Sequence, residues 1–366
     1  MPSQTHTVAR RLITPVAILG SLLEIAGCSP SAPTPTVVAP PTPTPTPAYG
    51  LPPLTLPGDE AAHGFQTEWW YFNVHLTSPD GAAFTLHDVV FQIQEPASGR
   101  TFYTRQVGLG SIRDETHATS ERVLTSESPL AGAYDGFEFP VGGGLVSGNG
   151  GEAYRLVGTA GGLSYDLSLH ATTSALLHDH DGLVDFGPAG ISYYYTRPRL
   201  EAAGSVSRAD GRVHAVTGLG WLDKQWGNFI PVQVAWDWAS VQLGDGTDLM
   251  LSRLMDRDMR EVDLYATLRR PGQPVRRLGP TDFTFAPVAG AEWLSAKTGT
   301  TYATRWSVVV PSEGLQLTLE PLIPESEFDS ALLGVTYYEA GVRVLEANEQ
   351  VGQGFVELNW PRGAER

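Results

Sequence analysis

The sequence predicts an all-β protein built of barrels or sandwiches. Runs such as "AAFTLHDVVFQIQ", "AYRLVGTAGGLSYDLSLHA", "VQVAWDWASVQLGDGTDLMLSRLM" and "GLQLTLEPL" are rich in β-branched and aromatic residues. Turn signals separate them. Asp245-Gly246 in "LGDGTDL" and Asp210-Gly211 in "RADGRV" supply the positive φ angles of tight hairpins, and 40 glycines suit many turns. No long stretch beyond the N-terminal segment carries a convincing helical period. A length of 366 residues suggests about two domains. "WGNFIPV" separates two strand-rich halves and places a boundary near Asn228–Val232, so the expected domains are 51–229 and 230–366.

Before these domains the chain reads as an export signal and a tether. "MPSQTHTVARR" is a short basic region, and "LITPVAILGSLLEIAG" is an apolar stretch too short and broken for a comfortable membrane span. It ends in "IAGC", where small residues precede Cys28 as in a bacterial lipobox. Residues 1–27 are therefore expected to be a lipoprotein signal peptide, with Cys28 the lipidated residue. Glu24 is an odd presence in that apolar stretch. Cys28 is the chain's one cysteine, which excludes an intrachain disulfide. Residues 28–50 alternate Pro and Thr and read as a disordered, extended tether. The expected location is extracytoplasmic, on a membrane.

Composition excludes some functions. A formal net charge of -16 and a pI near 4.9 give no electrostatic case for nucleic acid. No Gly-x-Ser-x-Gly elbow is present: "GISYY" and "GGLSYD" lack the final glycine. No phosphate loop or dinucleotide fingerprint follows a strand. "LLHDHDGL" places His178 and His180 among Asp179 and Asp181, but a metal needs more ligands than a turn offers. No metal and no cofactor are expected.

The chemistry concentrates in aromatic strands that each carry an acid. In "TEWWYFNVHL" the period of two puts Glu68, Trp70, Phe72, Val74 and Leu76 on one face. Trp69, Tyr71, Asn73 and His75 fall on the other. A strand aromatic on both faces is covered on both sides, one by its own core and one by a second domain or an apolar ligand. In "VQVAWDWASVQL", Trp236 and Trp238 share a face, while Asp237 sits opposite among Ala235, Ala239, Val241 and Leu243. A carboxylate there must be paired or have a raised pKa. It is either a structural acceptor for an arginine or indole N–H, or a general acid. "GLGWLDKQWG" adds Trp221, Asp223 and Trp226, and "GISYYYTRPRL" adds Tyr194.

In their order, "TEWWYFNVHL", "GISYYYTRPRL", "GLGWLDKQWGN…WDWASVQLGDGTDLML" and "YYEAGVRV…GQGFVELNW" resemble the AttH-like and hydroxyneurosporene synthase-like superfamily, which includes the CrtC-like carotenoid 1,2-hydratases. The resemblance runs from about Gly64 to Trp360. It implies two consecutive lipocalin-like antiparallel β-barrel domains with a pocket at or between them. It extends more remotely to fungal lipocalin-like pericyclases. The family's Trp-Met-Asp motif, commonly continued by a basic or histidine residue and then Glu, is Trp221-Leu222-Asp223-Lys224-Gln225 here. Asp223 is kept, but an amide stands at Gln225.

The function so implied is acid-catalysed hydration of a carbon–carbon double bond in a hydrophobic isoprenoid or polyene. An acid protonates the alkene, tryptophan faces stabilise the cation, and water adds. The candidate acids are Asp237, Asp223 and Glu68. Trp69, Trp70, Tyr71, Tyr194, Trp221, Trp226, Trp236 and Trp238 are the candidate substrate-binding residues. The alternatives are a non-catalytic carrier of an apolar ligand, or a hydrolase or pericyclase on the same fold. The expected partner is a hydrophobic small molecule, and the expected state is a monomer.

Overall fold

The computed structural model describes residues 48–95, 97–126, 130, 136–330 and 334–360. Cys28 and the expected signal and most of the tether lie outside them. The strands relevant to the site are β1 (Thr67–Thr77), β2 (Ala83–Gln94), β3 (Thr101–Ser111), β4 (Ile191–Arg208), β5 (Val213–Gly227), β6 (Ala235–Leu243), β7 (Asp248–Met255), β8 (Glu261–Arg269), β9 (Val335–Glu346) and β10 (Glu349–Asn359). The sequence period holds: β1 and β6 each bury both faces.

The protein is all-β, with two consecutive lipocalin-like antiparallel sheets. The first runs Thr116–Ser126, β3, β2, β1, β5, β4, Leu163–Ala171, Ala153–Ala160, Leu145–Gly148, Phe137–Phe139. The second runs Arg276–Leu278, β8, β7, β6, β10, β9, Leu315–Pro321, Trp306–Val310, Thr284–Pro287. Both share one plan. The opening strand of each sheet pairs with its own hairpin partner on one side and with a late strand on the other, β1 with β5 and β6 with β10. Each sheet curls around its own core. Each is a curled, half-barrel form of the expected lipocalin-like barrel, and among the described residues no hydrogen-bonded pair joins its end strands.

One core holds Trp70, Phe72, Val74 and Leu76 from the inner face of β1. The other holds Ala235, Ala239, Val241 and Leu243 from β6. The opposite faces meet in a third cluster with Trp69, Tyr71 and Trp221 from the first sheet and Trp238, Met250 and Phe355 from the second. So the doubly aromatic strands cover a core on one side and a partner sheet on the other.

Polar ties cross this seam. Gln242 Nε2 donates to Pro198 O at 2.6 Å and to Gly220 O at 2.9 Å. Pro198 lies where β4 shifts register between Arg197 and Leu200, the sort of irregularity that tolerates a residue without an N–H. Arg199 reaches across to the buried Asp248 at 2.9 Å. Gly341 is needed for close approach: a Cβ there would stand 2.4 Å from Thr85 Cγ2 of the other sheet.

Candidate active site

The central strands of both sheets wall a cavity of about 710 Å³. Trp69 and Tyr71 of β1, Tyr194 of β4, and Asp223 and Gln225 of β5 line it from the first sheet. Trp236 and Trp238 of β6, Tyr337 of β9 and Glu357 of β10 line it from the second. Ile93, Ile230 and Val232 also line it and are partly exposed, which gives the site an apolar rim. An apolar wall with a few convergent polar groups is the usual form of a small-molecule site.

Asp223 is the acid held most fully at this wall. The register puts it between Tyr71 on β1 and Thr196 on β4, all on one face. Tyr194 donates its hydroxyl to Asp223 Oδ2 at 2.5 Å, and Trp221 Nε1 donates to Oδ1 at 2.7 Å. Thr196 donates a third hydrogen bond to Oδ1. Trp238 Nε1 in turn donates to the Tyr194 hydroxyl at 3.1 Å. Burial raises the carboxyl to a pKa of about 6, with the three donors opposing that rise. A group with that value exchanges a proton readily near neutrality. Burial also lifts Tyr194 well above the ordinary phenol, so it remains a donor.

His178 stands behind Asp223. Its Nε2 is 2.7 Å from Thr196 Oγ1, and its Nδ1 is 2.8 Å from Thr267 Oγ1 on β8. Its ring packs on Tyr194 with centroids 4.0 Å apart. Burial lowers its pKa to about 3, so it is a neutral support. Among the described residues no group of three or more His, Cys, Asp or Glu is arranged to hold a metal.

A second acidic group was not singled out in the sequence. Glu339 of β9 and Glu357 of β10 are direct cross-strand partners. Tyr71 donates its hydroxyl to Glu339, and Asn73 Nδ2 donates to Oε1 at 2.7 Å. Burial pushes both carboxyls up, and the charge of Glu357 pushes Glu339 further. The signal was present: "YYEAG" and "FVELNW" each place one glutamate on a strand of aromatic and apolar residues. Asp237 sits in the same pattern.

Two expected acids lie elsewhere. Asp237 is fully buried in the second core, not at the cavity. It accepts from Trp360 Nε1 at 2.7 Å and pairs with Arg253 Nη1 at 3.2 Å. The structural alternative describes this geometry. Glu68 faces the first core, where it pairs with the buried Lys224 and accepts from His63 Nδ1 at 2.8 Å and Gln92 Nε2 at 3.1 Å. Of the expected binding residues, Trp69, Tyr71, Tyr194, Trp236 and Trp238 line the cavity. Trp221 packs behind it. Trp70 belongs to the first core, and Trp226 lies in a separate cluster with Leu54 and Tyr195. Gln225 lines the cavity as an amide that donates to Ser192 Oγ at 2.7 Å.

A model of the AttH-like family matches residues 47–360. The chain belongs to the AttH-like family. Solved structures share the fold. A protein described as AttH from Nitrosomonas europaea superposes with a TM-score of 0.74 at 24% identity, covering 86% of this chain and 99% of its own. Kievitone hydratase from Nectria haematococca superposes with a TM-score of 0.66 at 18% identity, covering 86% and 95%. CghA with Sch210972 gives a TM-score of 0.53 at 15% identity, covering 82% and 90%. At these identities the likeness establishes the fold. No match was found among curated proteins. For this AttH-like chain the chemistry therefore has to be argued from its own cavity.

Proposed function

We propose that the cavity binds a hydrophobic, unsaturated small molecule of isoprenoid or polyene type and that Asp223 carries a proton in the addition of water to its double bond. The observation that carries this reading is the placement of Asp223: a buried carboxyl with a pKa near 6, held by three donors at the wall of an aromatic cavity. In its neutral form Asp223 gives its proton to one alkene carbon, and the π pair becomes the new C–H bond. The cation left on the more substituted carbon faces the electron-rich rings of Trp236 and Trp238. The oxygen of a water molecule bonds to that carbon, and the released proton restores the acid. Kievitone hydratase, a hydratase by name, shares the fold and is consistent with this chemistry. Attachment to a membrane through Cys28 is part of the same proposal, since an anchored protein would meet an apolar substrate at the lipid surface.

The test uses geraniol, a short trisubstituted alkene, in water enriched in oxygen-18. Incorporation of the label into a hydrated product by the native protein, and its loss in Asp223→Asn with geraniol binding retained, supports hydration. Geraniol bound and recovered unchanged from the native protein refutes hydration and makes the protein a carrier. Turnover undiminished in Asp223→Asn refutes the role of that residue.

A further inference from the structure

Hydration moves two protons, one onto carbon and one off water, and a single carboxyl would have to serve both positions. The second sheet supplies another station. Glu339 and Glu357 face each other across adjacent strands, 2% and 9% exposed. Among the described residues no lysine or arginine is paired with either. The groups around them are Tyr71 and Asn73 on β1, His87 on β2, Gln106 on β3, Asp223 on β5, Trp236 on β6 and Tyr337 on β9. Gln106 Oε1 accepts from the Tyr337 hydroxyl at 2.8 Å, which ties that phenol down. His87 is a basic group beside Glu339. Its Nε2 contacts the Tyr337 hydroxyl at 3.1 Å, while its Nδ1 stands 3.9 Å from Glu339 Oε1. That ring is 2% exposed, and its Nδ1 has no hydrogen-bond partner among the described residues. Burial lowers the His87 pKa to about 3, so the ring brings no positive charge. Two buried carboxylates side by side without a cation do not both ionise; the low dielectric and their mutual repulsion favour one shared proton.

We propose that Glu339 and Glu357 form a carboxyl pair that shares one proton and opens onto the cavity through Glu357, as the proton acceptor that complements Asp223. This rests on the hydration reading of the cavity. Asp223 delivers its proton to the alkene carbon, and the π electrons form the C–H bond. Water forms the C–O bond to the neighbouring carbon, and its surplus proton passes to the ionised carboxylate of the pair. The pair then returns a proton to Asp223 through water, so the balance is alkene plus water to alcohol. The single negative charge of the pair also favours the cationic intermediate in a site of low dielectric. In this scheme Glu357 is the catalytic residue. Glu339 is a positioning residue that shares the proton and is itself held by Tyr71 and Asn73.

The pair is tested without turnover by infrared titration of protein carrying carbon-13 glutamate. At neutral pH, where an ordinary glutamate is ionised, the native protein should show a labelled carboxylic-acid carbonyl band. The double variant Glu339→Gln with Glu357→Gln should lose it, and Glu357→Gln alone should move the titration of the remaining carboxyl to lower pH, since Glu339 then loses a like-charged neighbour but stays buried. Asp223→Asn should leave the band in place. Absence of the band at neutral pH, its survival in the double variant, or an unmoved titration in Glu357→Gln overturns the pair. On geraniol hydration, Glu357→Gln should lower kcat about 100-fold, the low end for general acid–base groups, with little change in KM. If that variant keeps native kcat while Asp223→Asn is inactive, the pair has no catalytic part and the Asp223 reading stands. If native protein lacks turnover but shows the band, hydration fails and the shared proton stands.

Discussion

Removal of Glu68 is expected to be among the most destabilising single changes in the first sheet, and to leave the cavity's ligand binding intact. Glu68 and Lys224 are both fully buried and in direct contact. The ammonium lies 4.0 Å above the Trp70 ring and 4.5 Å from the Trp226 ring. Glu68 also accepts from the His63 backbone N at 2.8 Å, from His63 Nδ1 at 2.8 Å and from Gln92 Nε2 at 3.1 Å. Burial already lowers Lys224 to a pKa of about 8, and the charge of Glu68 is the main force opposing that fall. Glu68→Gln leaves a buried ammonium without its counter-charge, a change that costs about 3–5 kcal/mol. The pH dependence carries a signature. A lysine whose folded pKa is depressed binds fewer protons folded than unfolded, so stability rises with pH between the folded value and about 10.4. In the native protein that rise begins near 8; in Glu68→Gln it begins lower. The double variant Glu68→Leu with Lys224→Met removes both charges and should return to within about 1 kcal/mol of native stability. Urea unfolding of the three proteins at several pH values reads all of this. A loss under about 1 kcal/mol in Glu68→Gln, with an unchanged pH slope, would refute the account of a desolvated pair.

Asp237→Asn is expected to lower the melting temperature, at a cost of about 1–3 kcal/mol for charge-assisted bonds, because it weakens the contacts from Arg253 and Trp360. Geraniol affinity should not move, and a selective loss of ligand binding with an unchanged melting curve would contradict this. Asp223 has its pKa raised from 3.8 to about 6, so it binds its proton more tightly folded than unfolded. Its contribution is fully present below about pH 4 and is lost as pH rises through about 6. Urea unfolding between pH 4 and 7 should show a slope in native protein that Asp223→Asn reduces; equal slopes would contradict the raised value. Cys28→Ser is expected to move the protein from the membrane fraction to the soluble one. An intact mass showing an unlipidated N-terminus at another residue would contradict the anchor.

The fold was legible because it rests on local patterns. The period of two in "TEWWYFNVHL" puts Trp69 and Trp70 on opposite faces, one for a core and one for a second surface, and the structure separates them so; it does not say which face is which, and Trp70, expected to bind substrate, is the one in the core. Hairpin chemistry at Asp245-Gly246 connects β6 to β7 as expected. The candidate acids were less legible. An acid among apolar residues on a strand announces that it is buried, but not on which face of the sheet. Nor does it disclose a cation from another strand. Lys224 lies far along the chain from Glu68, and Arg253 is a whole hairpin from Asp237. For Asp223 the immediate sequence held the decisive neighbour, Trp221, whose indole donates to it. Glu339 and Glu357 escaped because their significance lies in cross-strand register, which links two segments that each hold a single acid.

The shared plan of the two sheets explains why acids of similar sequence context have different roles. In each sheet the inner face of the opening strand carries an acid near its start, Glu68 on β1 and Asp237 on β6, and a cation on a neighbouring strand pairs with it. That arrangement recurs where the curled sheet encloses its own core, and it leaves each carboxylate fully occupied. The outer faces meet each other instead; there Asp248 is paired with Arg199 and Arg269, while Asp223, Glu339 and Glu357 are given hydroxyl, amide and indole donors. A cation favours the charged form of a buried carboxylate directly, whereas neutral donors only moderate the effect of burial. Neutral partners are therefore what keep a proton exchangeable. The kind of partner separates carboxylates that organise the sheets from carboxyls available for proton transfer, and the latter gather at the seam between the sheets rather than in the interior of either one.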